Sequence, residues 1–305
     1  MKRTNAITEG AVLLALFAIF IFIALYIPII GGIAVFFLPL PFIVYGMRHG
    51  LKSAAIMFVA ALAVVFIIGA APALPLVLIT GAGGIAMGYF YRKSQTGPAI
   101  AAGTIGYTGG LLISYIIIVS LLGVNIAELA EESLNQSVSI LESFGQTSEA
   151  QIEQARAMMD LFQNIIPAFL LIMGAVMAFI SHIIAIPVLK RLRMEIPRLK
   201  PFREWMLPIS LIWYFLIATI LLMVNLDEGG FVYIAVINIY YVLQILLAVQ
   251  GFSFIFFYFH QKKLSKAIPV LILISSLIVP ILLYLIRILG IIDLGFQLRK
   301  RIKKK

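Results

Sequence analysis

Residues 39–55 read PLPFIVYGMRHGLKSAA and bring Arg48, His49 and Lys52 together around Gly46 and Gly50 inside an otherwise apolar run. Such a cluster can serve a metal through imidazole, a phosphate through its cations, or a plain turn held at a charged surface. A metal centre needs further ligands at set spacing. The other two histidines, His182 and His260, are remote and in no ligand pattern, HExxH is missing, and the chain has no cysteine. No metal site is therefore expected, nor disulfides or thiolate chemistry. No Gly-Lys pair occurs, which removes a P-loop. The run GAGGIAMG at 81–88 resembles a dinucleotide fingerprint, but it lies within an apolar helical stretch rather than between a strand and a helix. Close packing explains it better: Gly84 and Gly88 stand four apart, as do Gly106 and Gly110, and such rows let membrane helices approach one another. No nucleophile clusters with a base, so no catalytic residue, enzyme activity or cofactor is expected.

The elements that position these residues follow from composition. With 63% hydrophobic residues, 12% charged residues and a mean hydropathy of +1.10 over 305 residues, the chain has more apolar surface than a soluble core could hide. Its solvent is the lipid bilayer. Apolar stretches of roughly 17–25 residues mark membrane helices. Candidates lie near 9–30, 53–70, 72–90, 98–122, 164–189, 205–224, 231–259 and 267–289. A short ninth near 32–46 is kinked by Pro39 and Pro41. The first follows Lys2 and Arg3 but is too long for a cleaved signal and is followed by many more, so it reads as a retained helix. The expected fold is all-α: a polytopic membrane helix bundle of about eight or nine transmembrane helices.

The formal charge of +10 could signal nucleic acid, but position argues for membrane topology, and no nucleic-acid partner is expected. If the amino terminus is cytoplasmic, the short inner segments carry Arg48 and Lys52, Arg92 and Lys93, the run from Lys190 to Arg203, and Lys262, Lys263 and Lys266. That is the distribution the positive-inside rule asks for. In this scheme Arg48 and Lys52 hold a turn at phosphate headgroups, with His49 structural or interfacial. One conflict stays open. Nine crossings put the basic run 299–305 outside, so either it lies at the outer lipid surface or the last spans are miscounted, with Pro280 and Arg287 marking 267–298 as a broken or re-entrant piece.

Residues 124–163 are rich in glutamate. Leu134, Val138 and Leu141, then Ile152, Ala155, Met159 and Phe162, recur at helical spacing, which predicts an outer amphipathic hairpin. Its break is expected at Gly145-Gln146-Thr147, with Ser148 and Gln151 as a capping box. The hairpin either covers the bundle or closes a pocket. Asn238, Gln244 and Gln250 share one helix but not one face, which favours interhelical hydrogen bonds over a single site. No carboxylate falls in the middle of a candidate span.

The segments TEGAVLLALF at 8–17 and PLPFIVYGMRHGLKSAA at 39–55 carry a resemblance to a known family. The chain resembles the YybS-like membrane proteins of Bacillus-type bacteria, related to the S components of energy-coupling factor transporters. The resemblance implies an S-component-like core of six helices over 1–190, including the outer hairpin, and additional membrane helices over 191–305 that typical S components lack. It implies a bacterial plasma-membrane location and a small-molecule or lipid ligand at the outer side, near Tyr26, Phe36, Ser114, Tyr115 and Asn164 by location alone. It also implies a membrane coupling subunit and an ATPase as partners, docked through an AxxxA pattern that Ala11 and Ala15 match, a spacing that plain helix packing would equally use. The rival reading is a membrane scaffold or regulator whose basic loop at 190–204 recruits cytoplasmic or envelope proteins.

Overall fold

The computed structural model describes residues 2–303 except 68–70, 122, 124–125, 144–148, 225 and 228. Among the described residues there are helices and no strands. In chain order these are α1 (Lys2–Tyr26), α2 (Ile30–Ala34), α3 (Pro39–His49), α4 (Leu51–Ile67), α5 (Leu74–Arg92), α6 (Thr96–Leu121), α7 (Ile126–Ser143), α8 (Glu149–Asn164), α9 (Ile166–Arg191), α10 (Ser210–Met223), α11 (Phe231–Gln261), α12 (Ala267–Ile278), α13 (Pro280–Phe296) and α14 (Leu298–Lys303). Among the described residues six stretches are long and apolar enough to cross a membrane: Ala6–Tyr26, Ile30–His49, Leu74–Arg92, Thr96–Ser120, Ile166–Arg191 and Phe231–Gln261. Helices α4, α10 and α12 are apolar but shorter. The protein is a polytopic all-α membrane bundle. It divides into two compact units, Met1–Arg156 with Phe169–Leu199 and Ala157–Ala168 with Lys200–Lys305.

In the first unit the short span expected at 32–46 is the most enclosed of the six. It is broken by a 3-10 turn at Val35–Phe37, after which Pro39 starts α3. Proline suits this first turn because its missing N–H would have no helical partner there. Phe42 of α3 meets Phe17 of α1 edge to face at 5.0 Å, and Leu38, Phe42 and Ile43 are fully buried. Helix α5 lies on α3 and α6 lies on α5. A Cβ at Gly84 would sit 2.8 Å from the Pro39 carbonyl oxygen, and one at Gly88 2.7 Å from that of Ile43. Added at Gly106 it would lie 2.7 Å from the Ala82 carbonyl oxygen, and at Gly110 2.6 Å from the Ile79 Cα. These backbones approach as closely as they do because no side chain intervenes. Gly50, with φ +83°, ends α3 and lets the chain reverse into α4, its N–H donating to the Gly46 carbonyl at 2.9 Å. Glycine adopts this left-handed backbone without the strain a Cβ would bring.

Helices α7 and α8 form within the glutamate-rich region, with Leu134, Val138, Ile152, Ala155 and Met159 half-buried between exposed polar neighbours. Phe162 is exposed. The side chain of Leu141 and the expected break at 145–147 with its Ser148 cap lie outside the described residues.

The second unit decides how the chain ends. Helix α10 starts at Ser210 rather than near 205, because Pro208 keeps the residue before it out of helical backbone. At 14 residues, α10 spans about 21 Å, less than the ~30 Å hydrocarbon core. Helix α11, with 31 residues, is the longest. Helix α12 breaks at Val279, whose backbone is extended (φ −111°, ψ 99°), and α13 begins at Pro280. Gly251 of α11 and Gly290 of α13 face one another, a Cβ on Gly290 lying 3.0 Å from the Gly251 nitrogen. Farther along, Gln261 of α11 and Lys300 beyond α13 line the same cavity, so α11 and α13 run in the same direction. Since α12 starts where α11 ends, α12 and α13 form a hairpin that enters and returns at one end of the unit. Helix α12 has 12 residues and α13 has 17 residues. Their lengths, about 18 Å and about 25 Å, fall short of the bilayer core. The single span expected at 267–289 is thus two helices broken at Val279. The segment at 299 lies at the same end of the unit as the 200–207 loop and the end of α11.

Candidate functional site

At that basic end a side chain expected at a lipid surface is instead buried. Gln297, in left-handed backbone (φ 48°, ψ 47°), stops α13 and turns Arg299 back into the unit, where it is 7% exposed. Its Nε donates to Asp293 Oδ2 at 2.9 Å. Nη1 donates to the carbonyls of Arg203 and Trp205 at 3.0 and 2.9 Å, and Nη2 to Ser253 Oγ at 3.1 Å. Asp293 is fully buried and also accepts from Gln250 Nε2 at 2.5 Å, while Gln250 Oε1 accepts from the Leu207 N–H at 3.0 Å. Ser253 Oγ lies 2.7 Å from the Phe202 carbonyl and 2.8 Å from that of Trp205. Its one proton can go to either. Arg299, Gln250 and Ser253 thus satisfy backbone groups of the 202–207 stretch, which opens with a 3-10 turn at Phe202–Glu204, and with Asp293 lock it to α11 and α13. Unpaired backbone groups there would be costly. Asp293 Oδ1 is buried and has no hydrogen-bond partner among the described residues.

Beside this tie lies a cavity of about 530 Å³. Lys200, Arg203, Arg299 and Lys300 line it together with Glu204 and the apolar Phe257. The Arg299 charge is matched by Asp293. Among the described residues no carboxylate lies within ion-pair distance of Lys200, Arg203 or Lys300. The cavity therefore presents excess positive charge at a bundle end where Lys262, Lys263 and Lys266 are exposed as well.

Sequence reasoning missed this site because Asp293 and Arg299 are six residues apart, a spacing that does not align on a helix. One signal was available: Asp293 is the sole acidic residue after position 228. Gln250 and Asn238 do bridge elements. Asn238 Nδ2 donates to the Asn164 carbonyl and its Oδ1 accepts from the Ala168 N–H, each at 2.7 Å.

In the first unit the cluster of Arg48 and His49 finds a protein partner. Arg48 pairs with Glu9 of α1, and His49 Nε2 lies 2.8 Å from the other Glu9 oxygen. Arg48 is therefore held by Glu9 rather than by headgroups alone. Deeper in, Tyr91 OH and His182 Nδ1 meet at 2.7 Å, and Tyr107 OH and Ser181 Oγ at 2.6 Å, joining α5 and α6 to α9. Ala11 and Ala15 are exposed on α1. Of the positions implied for a ligand, Tyr26 is 61% and Phe36 42% exposed, Ser114 is buried with its hydroxyl 3.4 Å from the Pro75 carbonyl, and Tyr115 beside it is half-buried. Asn164 belongs to the second unit, where its carbonyl serves Asn238. The basic cavity is lined by none of these five.

Residues 15–294 match the family described as Predicted membrane protein (DUF2232). The chain is also 37% identical, over 309 aligned residues covering 99% of its length and all of the relative's, to the Uncharacterized protein YybS of Bacillus subtilis (strain 168). No solved structure matches.

Proposed function

Since the chain belongs to the Predicted membrane protein (DUF2232) family, we propose that it works as a multi-pass membrane protein which binds a small molecule or lipid and hands it on with a partner, without covalent chemistry of its own. The observation that carries this reading is the cavity at Lys200, Arg203 and Lys300, whose walls are fixed by the Arg299–Asp293 tie. A charged recess built on a rigid frame is what binding requires. In this proposal residues 1–190 form an S-component-like core, and the exposed Ala11 and Ala15 offer a face to a membrane coupling subunit that acts with an ATPase. The amino terminus and the basic loops lie on the cytoplasmic side of a bacterial plasma membrane. Mass spectrometry of compounds that copurify with the protein tests the reading directly. A retained lipid or small molecule supports it; protein free of any, with uptake indifferent to a coupling subunit, refutes it.

A second reading rests on the exposed cations Lys190, Arg191, Arg193 and Arg198, which suit a scaffold recruiting acidic proteins. Reversing these charges should abolish partner recovery if that reading holds and leave ligand retention unchanged if it does not.

A further inference from the structure

The ligand class of the basic cavity can be read from its walls. We infer that the cavity formed by Lys200, Arg203 and Lys300 binds a phosphate-bearing anion, and that the occupant is the headgroup of an anionic phospholipid. This rests on the reading that the protein binds a small molecule or lipid.

Three features point to phosphate. First, Lys200, Arg203 and Lys300 come from two separate chain segments and meet at one recess, with Glu204 as the acid among the lining residues. Like charges gathered this way repel unless an anion joins them. Arg299 does not contribute to that excess, since its donors are spent on Asp293, Ser253 and two carbonyls. Second, a phosphate offers several oxygens to several donors, and the planar fork of Arg203 suits two of them at once while the lysines supply point charges. Third, at about 530 Å³ the recess has the size of a small-ligand pocket rather than a surface dimple.

The choice of a lipid over a soluble phosphate comes from location and lining. The recess lies at the end of α11, whose last turn leads into exposed Lys262, Lys263 and Lys266. That charge pattern is the one expected facing an anionic leaflet. Met206, 48% exposed, and Phe257 give the same recess an apolar wall on which the start of an acyl chain can lie. A soluble phosphate would leave this wall uncovered.

The test uses the full-length protein in phosphatidylcholine nanodiscs doped with phosphatidylglycerol, and counts phosphatidylglycerol molecules retained after detergent washing by native mass spectrometry. The variant Lys200→Gln/Arg203→Gln/Lys300→Gln is compared with Lys262→Gln/Lys263→Gln/Lys266→Gln, which removes the same charge outside the recess. We expect the first to lose retention by at least about tenfold and the second to keep it. Arg203→Lys with Lys300→Arg, which preserves charge, should retain most of it. Equal melting temperatures for the two triple variants show that the fold is intact. Stabilisation of delipidated protein by inorganic phosphate, lost in the first triple variant while no phosphatidylglycerol is retained by wild type, would overturn the lipid assignment in favour of a soluble phosphate compound. Equal loss in both triple variants, or none in either, overturns the site. Retention of a compound without phosphate, unaffected by the first triple variant, would sink this inference yet leave the binding function standing; failure to retain any compound would end both.

Discussion

Asp293 and Arg299 show how much one buried pair can govern at the residue scale. Both are nearly or fully removed from solvent, and each is needed to neutralise the other. Arg299→Met leaves the Asp293 carboxylate uncompensated and removes the guanidinium donors to the Arg203 and Trp205 carbonyls, so we expect a loss of ~3–5 kcal/mol in thermal unfolding in detergent. Asp293→Leu/Arg299→Met removes both charges and should recover a good part of that loss, since a lone buried charge is worse than none. A double variant no better than the single one would show that the Arg299 bonds to carbonyls, not the ion pair, carry the stability. The Glu9–Arg48 pair offers a contrast. Its side chains are 25% exposed at Glu9 and 35% exposed at Arg48, so water screens the pair. Glu9→Gln should therefore cost only ~0–1 kcal/mol in the same measurement. Glu9 was legible in the sequence as a charge at the start of the first span, but not its partner, because 39 residues separate it from Arg48.

Helix contacts are decided by where side chains are missing. At the α11–α13 crossing, a Cβ on Gly251 would meet the Ile286 carbonyl and one on Gly290 the Leu247 carbonyl, both backbone atoms that cannot rotate away. Gly251→Leu should therefore destabilise by about 3 kcal/mol or more and expose the hairpin to protease. Gly109 on α6 has open space where a Cβ would sit, and Gly109→Ala should be neutral or stabilise by up to ~1 kcal/mol. If both substitutions behave alike, close backbone contact is not what holds α13. The helical spacing of Gly84, Gly88, Gly106 and Gly110 was visible from sequence as small residues on one face. Which neighbour each one meets was not, because identical spacing serves any close helix pair.

For the whole molecule the consequential question is on which side each segment ends. The hairpin of α12 and α13 brings residue 299 to the end that holds the 202–207 stretch and the close of α11. The chain has no cysteine, so single introduced cysteines report cleanly. Lys262→Cys and Arg301→Cys should react with an impermeant maleimide from one side of the membrane, and Phe231→Cys, 87% exposed at the opposite end of α11, from the other. If Arg301→Cys is modified together with Phe231→Cys, α13 crosses the bilayer and the hairpin does not exist. Cytoplasmic placement of the basic side predicts that Lys262→Cys and Arg301→Cys are reached only after the cells are opened.

By itself, the sequence determined the solvent, the helical class and most of the spans, because burial in lipid imposes long apolar runs that composition cannot conceal. It also placed the kink at Pro39 and the suspect region around Pro280, since proline breaks helices through local chemistry alone. Only the tertiary structure decided that the chain reverses between α12 and α13 to bring residue 299 beside the end of α11, and that Arg299 is a buried tie rather than one more cation at the lipid surface. Those outcomes depend on a few hydrogen bonds between residues 43 to 96 positions apart, from Gln250–Asp293 to Arg299–Arg203. Hydropathy and periodicity report how each segment meets its solvent; they carry no record of which distant carbonyl a guanidinium will find.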